Sequence, residues 1–194
     1  MRGPVGVILA GGKSSRMGSD KALVELAGRP MIEWVAEAMS GFDQVVVVGR
    51  RPGWAGLEAI PDLQPDAAGP LSGLQTALAA FQRPLVVTAV DQPLVRPETL
   101  RRLAEWAMDN RTALCLDGLP QVTCAAYSSD CLDQAIQELG SSGSIQRMLE
   151  SVPWTRIEPE VWSGWGEDGR SWYSMDSWDD ILAAEHRFRV NLAG

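Results

Sequence analysis

The sequence predicts a single α/β domain built on a mostly parallel sheet. Three observations predict it. Residues 5–10 (VGVILA) form a short, β-branched apolar run closed by two glycines, as a buried strand entering a ligand loop is. Later apolar runs alternate with stretches of helical periodicity, the signature of strands joined by crossover helices. The 194 residues carry no internal repeat and no low-complexity segment, a length that one substantial core can serve.

Each element can be justified in order. Residues 22–27 read as a short extended piece ended by Gly28. Pro30 suits a first helical position, and Met31, Ile32, Val35, Ala38 and Met39 supply a broad apolar face up to Gly41. Residues 44–49 (QVVVVG) are a second buried strand, and residues 57–60 a third, ending at Pro61-Asp62. Residues 66–73 (DAAGPLSG) read as a second glycine-bearing loop, followed by a helix with Leu74, Leu78 and Phe81 on one side. Residues 85–90 form another strand with Asp91 just past its carboxyl end, and Pro97 opens a helix carrying Leu100, Leu103, Ala104 and Ala107. Residues 112–116 and 121–127 read as strands around an Asp117-Gly118 turn. Ser129 is expected to cap a helix with Leu132, Ala135, Ile136 and Leu139 inward, stopped by Gly140. Ile145, Met148, Leu149 and Val152 mark a short helix. Ser177 with Asp180 resembles a capping box for the last one, which turns Ile181, Ala184 and Phe188 inward.

Composition narrows the function. Hydrophobic content of 45% and charged content of 22% are those of an ordinary globular protein. A net charge of −8 argues against a nucleic-acid binder, whose affinity rests on neutralising phosphates. No apolar run is long enough for a membrane span, and no leader precedes the first strand, so a cytoplasmic protein is expected. Cys115, Cys124 and Cys131 lack metal-ligand spacing and cannot all pair within the chain; reduced thiols fit that setting. His186 is the only histidine, which leaves little for histidine-dependent nucleophilic or metal chemistry.

The chemistry concentrates in residues 5–21. Gly11, Gly12 and Gly18 allow positive φ and close backbone approach to a ligand, while Lys13, Arg16 and Lys21 bring cationic charge to the same loop. Such a loop suits a triphosphate. It matches neither familiar phosphate template: Val7 stands where a P-loop has its first glycine, and Lys13 where a dinucleotide fingerprint has its second.

Asp91 at the carboxyl edge of a strand is placed to hold Mg²⁺ against phosphates, although an Asp before Gln-Pro also caps turns. Asp62, ending a strand on the same edge, suits a base or ribose hydroxyl, or ordinary Pro-Asp turn chemistry. The loop from Gly69 to Gly73 offers exposed backbone that could read a base edge. Trp154, Trp162, Trp165, Trp172 and Trp178 cluster beside Tyr173; filling the core beneath an irregular C-terminal segment is the favoured reading, a stacking face for a flat ligand the other.

LAGGKSSRMGSDK resembles the L-A-G-G-x-S-x-R-M-G-x-D-K loop of the nucleotidyltransferases of glycosyltransferase-A type. VTAVDQPLVRPETL is similar to their metal-binding segment. DAAGPLSGLQTAL is similar to the G-P-L-[AS]-G loop of the molybdenum cofactor guanylyltransferases in particular. SGSIQRMLE and SMDSWDDILAAE extend the likeness more loosely to the end. The resemblance implies one three-layer α/β/α domain over residues 1–194, Rossmann-like, with a nucleotide-binding half of about residues 1–110 and an acceptor half of about 111–194.

It further implies transfer of GMP from GTP to molybdenum-bearing molybdopterin, with Mg²⁺ and release of pyrophosphate. Carried over by motif, Leu9, Ala10 and Gly11 would meet the nucleotide by backbone, with Gly12 and Gly69 in the two glycine loops. Lys21 would sit at the phosphates with Arg16 in the same loop, Asp62 at the nucleoside, and Asp91 on metal and nucleotide. Molybdoenzymes or their chaperones would receive the product, and neither nucleic acid nor membrane takes part. The second strand ends Val48-Gly49 where the family often has Asn. Ser174 and Asp176 stand where it typically has two asparagines, so Asp176 is either a second metal carboxylate or a substituted turn residue. Gln92-Pro93-Leu94 is reminiscent of the cytidylyltransferases that make the CMP form, which keeps that activity, or transfer to another sugar or alditol phosphate, as an alternative. A non-catalytic nucleotide-binding protein is the alternative of another class. For the acceptor, Arg147, Arg170, residues 121–127 and the links at 140–144 and 172–176 are the candidates.

Overall fold

The computed structural model describes residues 3–11, 21–49, 56–64, 69–141 and 143–192. The strands are β1 (Val5–Leu9), β2 (Glu25–Leu26), β3 (Arg29–Pro30), β4 (Val45–Val48), β5 (Glu58–Ile60), β6 (Leu85–Ala89), β7 (Ala113–Asp117), β8 (Leu119–Tyr127) and β9 (Thr155–Ile157). The helices are α1 (Met31–Ala38), α2 (Pro70–Phe81), α3 (Pro97–Met108), α4 (Leu132–Leu139), α5 (Ile145–Ser151), α6 (Pro159–Ser163) and α7 (Trp178–Phe188). Seven strands form one sheet in the order β5-β4-β1-β6-β8-β7-β9, and β2 pairs with β3 in a separate ribbon.

The sheet is mostly parallel, as expected. β5, β4, β1 and β6 run side by side in one direction, β9 runs parallel to β7, and β8 alone is antiparallel to both its neighbours. The four parallel strands end nearly level: Leu9 is opposite both Val48 and Ala89, and Val48 is opposite Ile60. Their carboxyl ends therefore open on one edge, where chain reversal leaves a crevice for ligands.

Side-chain alternation divides the core between the two faces of the sheet. Ile8, Val47 and Val86 pack with Val35 of α1 and Leu100 and Leu103 of α3. Val7, Leu9, Val46, Val48 and Val87 pack on the other face with Leu74 and Leu78 of α2, Ala135 of α4 and Met148 of α5. A third cluster joins Ile181, Ala184 and Phe188 of α7 to Leu26 and Met31, which seats the C-terminal helix beside the first. The inward face expected for α7 is the one observed, and the Asp117-Gly118 turn joins β7 to β8 with φ +70° at Gly118.

Several local expectations are corrected. The extended piece at 22–27 is a 3-10 turn over Lys21–Leu23 followed by the β2–β3 hairpin, whose Ala27 and Gly28 take φ of 49° and 72°, the left-handed pair such a hairpin requires. Pro30 caps α1 from outside rather than starting it. The segment 66–73 is not all loop: α2 begins at Pro70, with Gly69 as its N-cap, because a Gly-Pro pair suits the first helical position. Gly73 lies inside that helix, where a Cβ would come within 2.9 Å of Leu9 Cδ2. Ser128, not Ser129, caps the turn before α4 by accepting from Asp130 N–H, and Ile136 is exposed because the helix turns only Ala135 fully inward. β9 and α6 were not expected; both are short, and neither carries a periodic pattern.

The β1 and β4 ends meet tightly. Gly49 holds φ +92°, and a Cβ there would lie 2.7 Å from both the Cα and the N of Gly11. Gly49→Ala is therefore expected to destabilise the protein by about 2 kcal/mol or more, as strain at a left-handed position combined with overpacking does. Gly41, which has open space around it, is the control, and urea unfolding of Gly49→Ala and Gly41→Ala at equal protein concentration measures the difference.

Candidate active site

The crevice edge collects residues from four strand ends and from the C-terminal segment. Leu9 and Ala10 are buried at the end of β1, with the Leu9 carbonyl accepting from Val90 N–H and Ala10 N–H donating to Val48, both at 2.9 Å. Gly11 emerges exposed beyond them. Gly12 and Arg16, with Lys13 and Gly18, lie outside the described residues.

Lys21 follows that loop and turns its side chain back to the crevice. Its Nζ donates to Asp91 Oδ2 at 3.1 Å and to Asp176 Oδ1. Burial works against the charge, but the hydrogen bond to Asp176 and the field and hydrogen bond of Asp91 outweigh it, so the ammonium pKa lies above its ordinary 10.5. Three residues far apart in sequence thus form one charged cluster of two carboxylates and one cation. Asp176 is brought in by the backbone: Met175 N–H donates to the Asp91 carbonyl at 2.8 Å, and Asp180 Oδ2 accepts from Asp176 N–H at 3.0 Å. The capping box expected at Ser177 is present in modified form, because Asp180 reaches back to Asp176 N–H and to the Ser177 hydroxyl.

Asp62 makes the turn contacts of one of its two readings through Oδ1. Oδ1 accepts from Gln64 N–H at 2.9 Å, from the Thr76 hydroxyl at 3.2 Å and from the Ser72 hydroxyl, a turn of ordinary chemistry tied to α2. Oδ2 faces Gly11, 3.8 Å from where a Cβ on that glycine would stand. Ser72 and Thr76 were missed by the sequence reading, although two hydroxyls four residues apart on a helix face were a usable signal.

Gly69 sits exposed at the start of α2, which has no side-chain cap, and a Cβ on it would lie 3.8 Å from the Gly143 carbonyl. Residues 70–73 are helical and residues 71–73 buried, so they do not present the open loop expected to read a base edge. Of the two arginines considered for the acceptor, Arg170 is held by Asp168 at 2.7 Å and lies over Phe188, while Arg147 is exposed on α5.

Of the five tryptophans, Trp172 is buried, and Trp154, Trp162 and Trp165 are half-buried against the core, nearer the favoured packing reading than a free stacking face. Trp172 is buried and its indole N–H donates to Asp117 Oδ2 at 2.9 Å; Trp162 stands edge-on to it at 5.2 Å and donates to the Leu116 carbonyl. Trp178 departs from the group, with 61% of its surface exposed. Cys115, Cys124 and Cys131 are buried free thiols, and burial pushes each pKa up, to about 12 for Cys115, which leaves no ready thiolate nucleophile among them.

Two carboxylates facing one cation fit a divalent ion of the Mg²⁺ type, which takes one or two carboxylates together with phosphate oxygens rather than a full protein cage. Among the described residues no cluster of three or more His, Cys, Asp or Glu forms such a cage, and no helix is long and apolar enough to cross a membrane.

Comparisons with known proteins agree with this architecture. A family model described as a MobA-like NTP transferase domain matches residues 6–157. The molybdenum cofactor guanylyltransferase of Xanthomonas euvesicatoria pv. vesicatoria is 47% identical over 157 residues, covering 78% of this chain and 81% of that protein. The probable molybdenum cofactor guanylyltransferase of Pelotomaculum thermopropionicum is 41% identical over 140 residues, covering 69% and 67%. Among solved structures, molybdopterin-guanine dinucleotide biosynthesis protein A of Archaeoglobus fulgidus superposes with a TM-score of 0.82 at 27% identity, over 94% of this chain and 97% of that one.

The raised pKa of Lys21 carries a consequence for stability. The stabilisation it supplies is complete below its unfolded value of 10.5 and is lost as pH rises through the higher folded value. Thermal unfolding of wild type and Lys21→Met should show wild type the more stable by a constant margin from about pH 7 to about pH 10, where both aspartates are ionised, with the margin closing above it. A margin independent of pH throughout would mean that the ammonium contributes nothing through its charge.

Proposed function

The chain belongs to the MobA-like NTP transferase family, and we propose that it acts as a molybdenum cofactor guanylyltransferase, moving GMP from GTP to molybdenum-bound molybdopterin and releasing pyrophosphate. The observation that carries this is Lys21 between Asp91 and Asp176 at the carboxyl edge of the parallel strands. A cation and two carboxylates at that point suit an α-phosphate under attack, and the named relatives supply the substrates. Molybdoenzymes or their chaperones would take the product.

The reaction asks little of an acid or base. The terminal phosphate oxygen of the acceptor is already an anion; it forms a bond to the α-phosphorus while the bond from that phosphorus to the β-phosphate bridging oxygen breaks, and pyrophosphate carries off the electron pair. Positioning and charge neutralisation supply the catalysis. Lys21 would turn from the carboxylates to the phosphate oxygens and offset the charge that builds there. Asp91, with Asp176 beside it, would hold Mg²⁺. When bound, that ion would neutralise phosphate charge and polarise the leaving group. Gly11 would let the nucleotide pass close to the backbone. Asp62 Oδ2, facing Gly11, would accept from the guanine N–H groups or a ribose hydroxyl, a part the helical backbone of α2 cannot take.

The direct test incubates the purified protein with molybdenum-bound molybdopterin, Mg²⁺ and either GTP or CTP. Pyrophosphate and the guanine dinucleotide should form with GTP, at least tenfold faster than the cytosine product with CTP. Equal rates, or a preference for CTP, would remove the guanylyl assignment. Omitting Mg²⁺ and adding a chelator should abolish turnover.

Asp62→Asn keeps an oxygen for Gln64, Ser72 and Thr76 and replaces the other by an amide. It should raise the KM for GTP by roughly tenfold through loss of one charge-assisted hydrogen bond, with a Tm close to wild type. An unchanged KM would place the nucleoside away from Asp62.

A further inference from the structure

We propose that Gln92 is a positioning residue that holds the Asp91 turn and the Asp176 segment in register, so that the two carboxylates converge on one cation. The proposal rests on the guanylyltransferase reading for its consequence in catalysis, and on the geometry below for the register itself.

Gln92 follows Asp91 directly and is 3% exposed. Burying a primary amide is costly unless its donors and acceptor are satisfied. Here they are. Oε1 accepts from Ala89 N–H at 3.1 Å and from the Thr88 hydroxyl at 3.3 Å; Nε2 donates to Thr123 Oγ1 at 2.9 Å and to the Trp172 carbonyl at 3.4 Å. The orientation of the amide is not arbitrary: Ala89 N–H can only donate and the Trp172 carbonyl can only accept, which fixes oxygen and nitrogen on their respective sides. The backbone of Gln92 completes the turn, its N–H donating to the Ala89 carbonyl and its own carbonyl accepting from Val95 N–H, both at 3.1 Å.

These bonds join three parts of the chain at the site. Thr88 and Ala89 are the last two residues of β6, two positions before Asp91. Thr123 belongs to β8, the antiparallel neighbour of β6. Trp172 lies four residues before Asp176. With the bond from Met175 N–H to the Asp91 carbonyl, the Gln92–Trp172 bond makes a second tie between the Asp91 turn and the segment that delivers Asp176. The Trp172 indole bond to Asp117 and the Arg96 N–H bond to the Ser171 hydroxyl anchor the same segment farther from Asp91, and the Gln92 bond adds a tie at the Asp91 turn itself. A methionine or leucine would fill the same volume without the cost of desolvating an amide, so a merely space-filling role does not account for the polar side chain.

The test uses the full chain with Gln92→Met, Asp176→Asn and the double variant, and reads two quantities. The first is hydrogen exchange at the Met175 amide without nucleotide, which needs no catalysis. It should be faster in Gln92→Met by about tenfold or more. The second is GMP transfer from GTP. Gln92→Met should lower kcat by about tenfold to a hundredfold, as loss of a partner that orients a ligating group commonly does, while in the Asp176→Asn background it should cost less than about twofold, because the group it positions has already been altered.

Exchange at the wild-type rate would overturn the proposal. So would an equal loss of kcat in both backgrounds, the result expected of a substitution that harms the fold generally. If Gln92→Met does not fold, Thr123→Val decides by the same two readings, with Thr123→Ser, which keeps the hydroxyl, expected to restore both. If the wild-type protein transfers no GMP, the guanylyltransferase reading falls, and the exchange measurement alone decides whether Gln92 holds the register.

Discussion

The ammonium of Lys21 meets the carboxylates of Asp91 and Asp176 at a point where the end of the glycine loop, the end of β6 and the segment before α7 converge. This contact is not what holds the protein together. Partly exposed ion pairs contribute about 0–1 kcal/mol to stability, whereas each large apolar side chain fully buried contributes about 1.5–3 kcal/mol. The cluster of Ile181, Phe188, Leu26 and Met31 therefore seats α7 with energy to spare. What the charged cluster does is bring together three groups from distant parts of the chain. Two carboxylates side by side without a cation repel each other; the ammonium between them offsets that repulsion and leaves the cluster with one net negative charge.

The rest of the fold makes that convergence possible. Parallel strands of similar length bring Gly11, Gly49, Asp62 and Asp91 to one edge, because the in-register pairing of Leu9 with Val48 and Ala89 leaves their following residues level. The backbone must then reverse in very little space. Gly49 meets this by a left-handed conformation against Gly11, and Gly73 by letting α2 approach Leu9. Catalysis by positioning needs such rigidity, since small displacements of charged groups weaken charge stabilisation in the transition state.

Much of this was legible in the sequence. The apolar runs at 5–10, 44–49 and 85–90 and the periodic faces of α3, α5 and α7 are strong signals because burial on a sheet or one helix side permits few other patterns. The β2–β3 hairpin was not legible because Ala27 takes a left-handed φ that its residue type does not advertise. The start of α2 was misread because Gly73 resembles loop composition; inside the helix it serves packing instead. For the site, residue type and place singled out Lys21 in the glycine loop and Asp62 and Asp91 at strand ends, whereas Asp176 stood out only through the family resemblance. The partnership of Lys21 with Asp176 was not visible, because it depends on a backbone bond from Met175 to Asp91. Gln92 was visible only as a motif letter, since its meaning lies in Thr123 and Trp172, far along the chain.

One measurement tests the central claim most directly: a crystal structure with Mg²⁺ and a GTP analogue whose α,β-bridge cannot be broken. The account predicts Mg²⁺ at about 2.1 Å from an oxygen of Asp91, phosphates between Gly11 and Asp91, and Lys21 Nζ turned from the carboxylates to a phosphate oxygen. Triphosphate bound elsewhere, with Lys21 still held between Asp91 and Asp176, would contradict it.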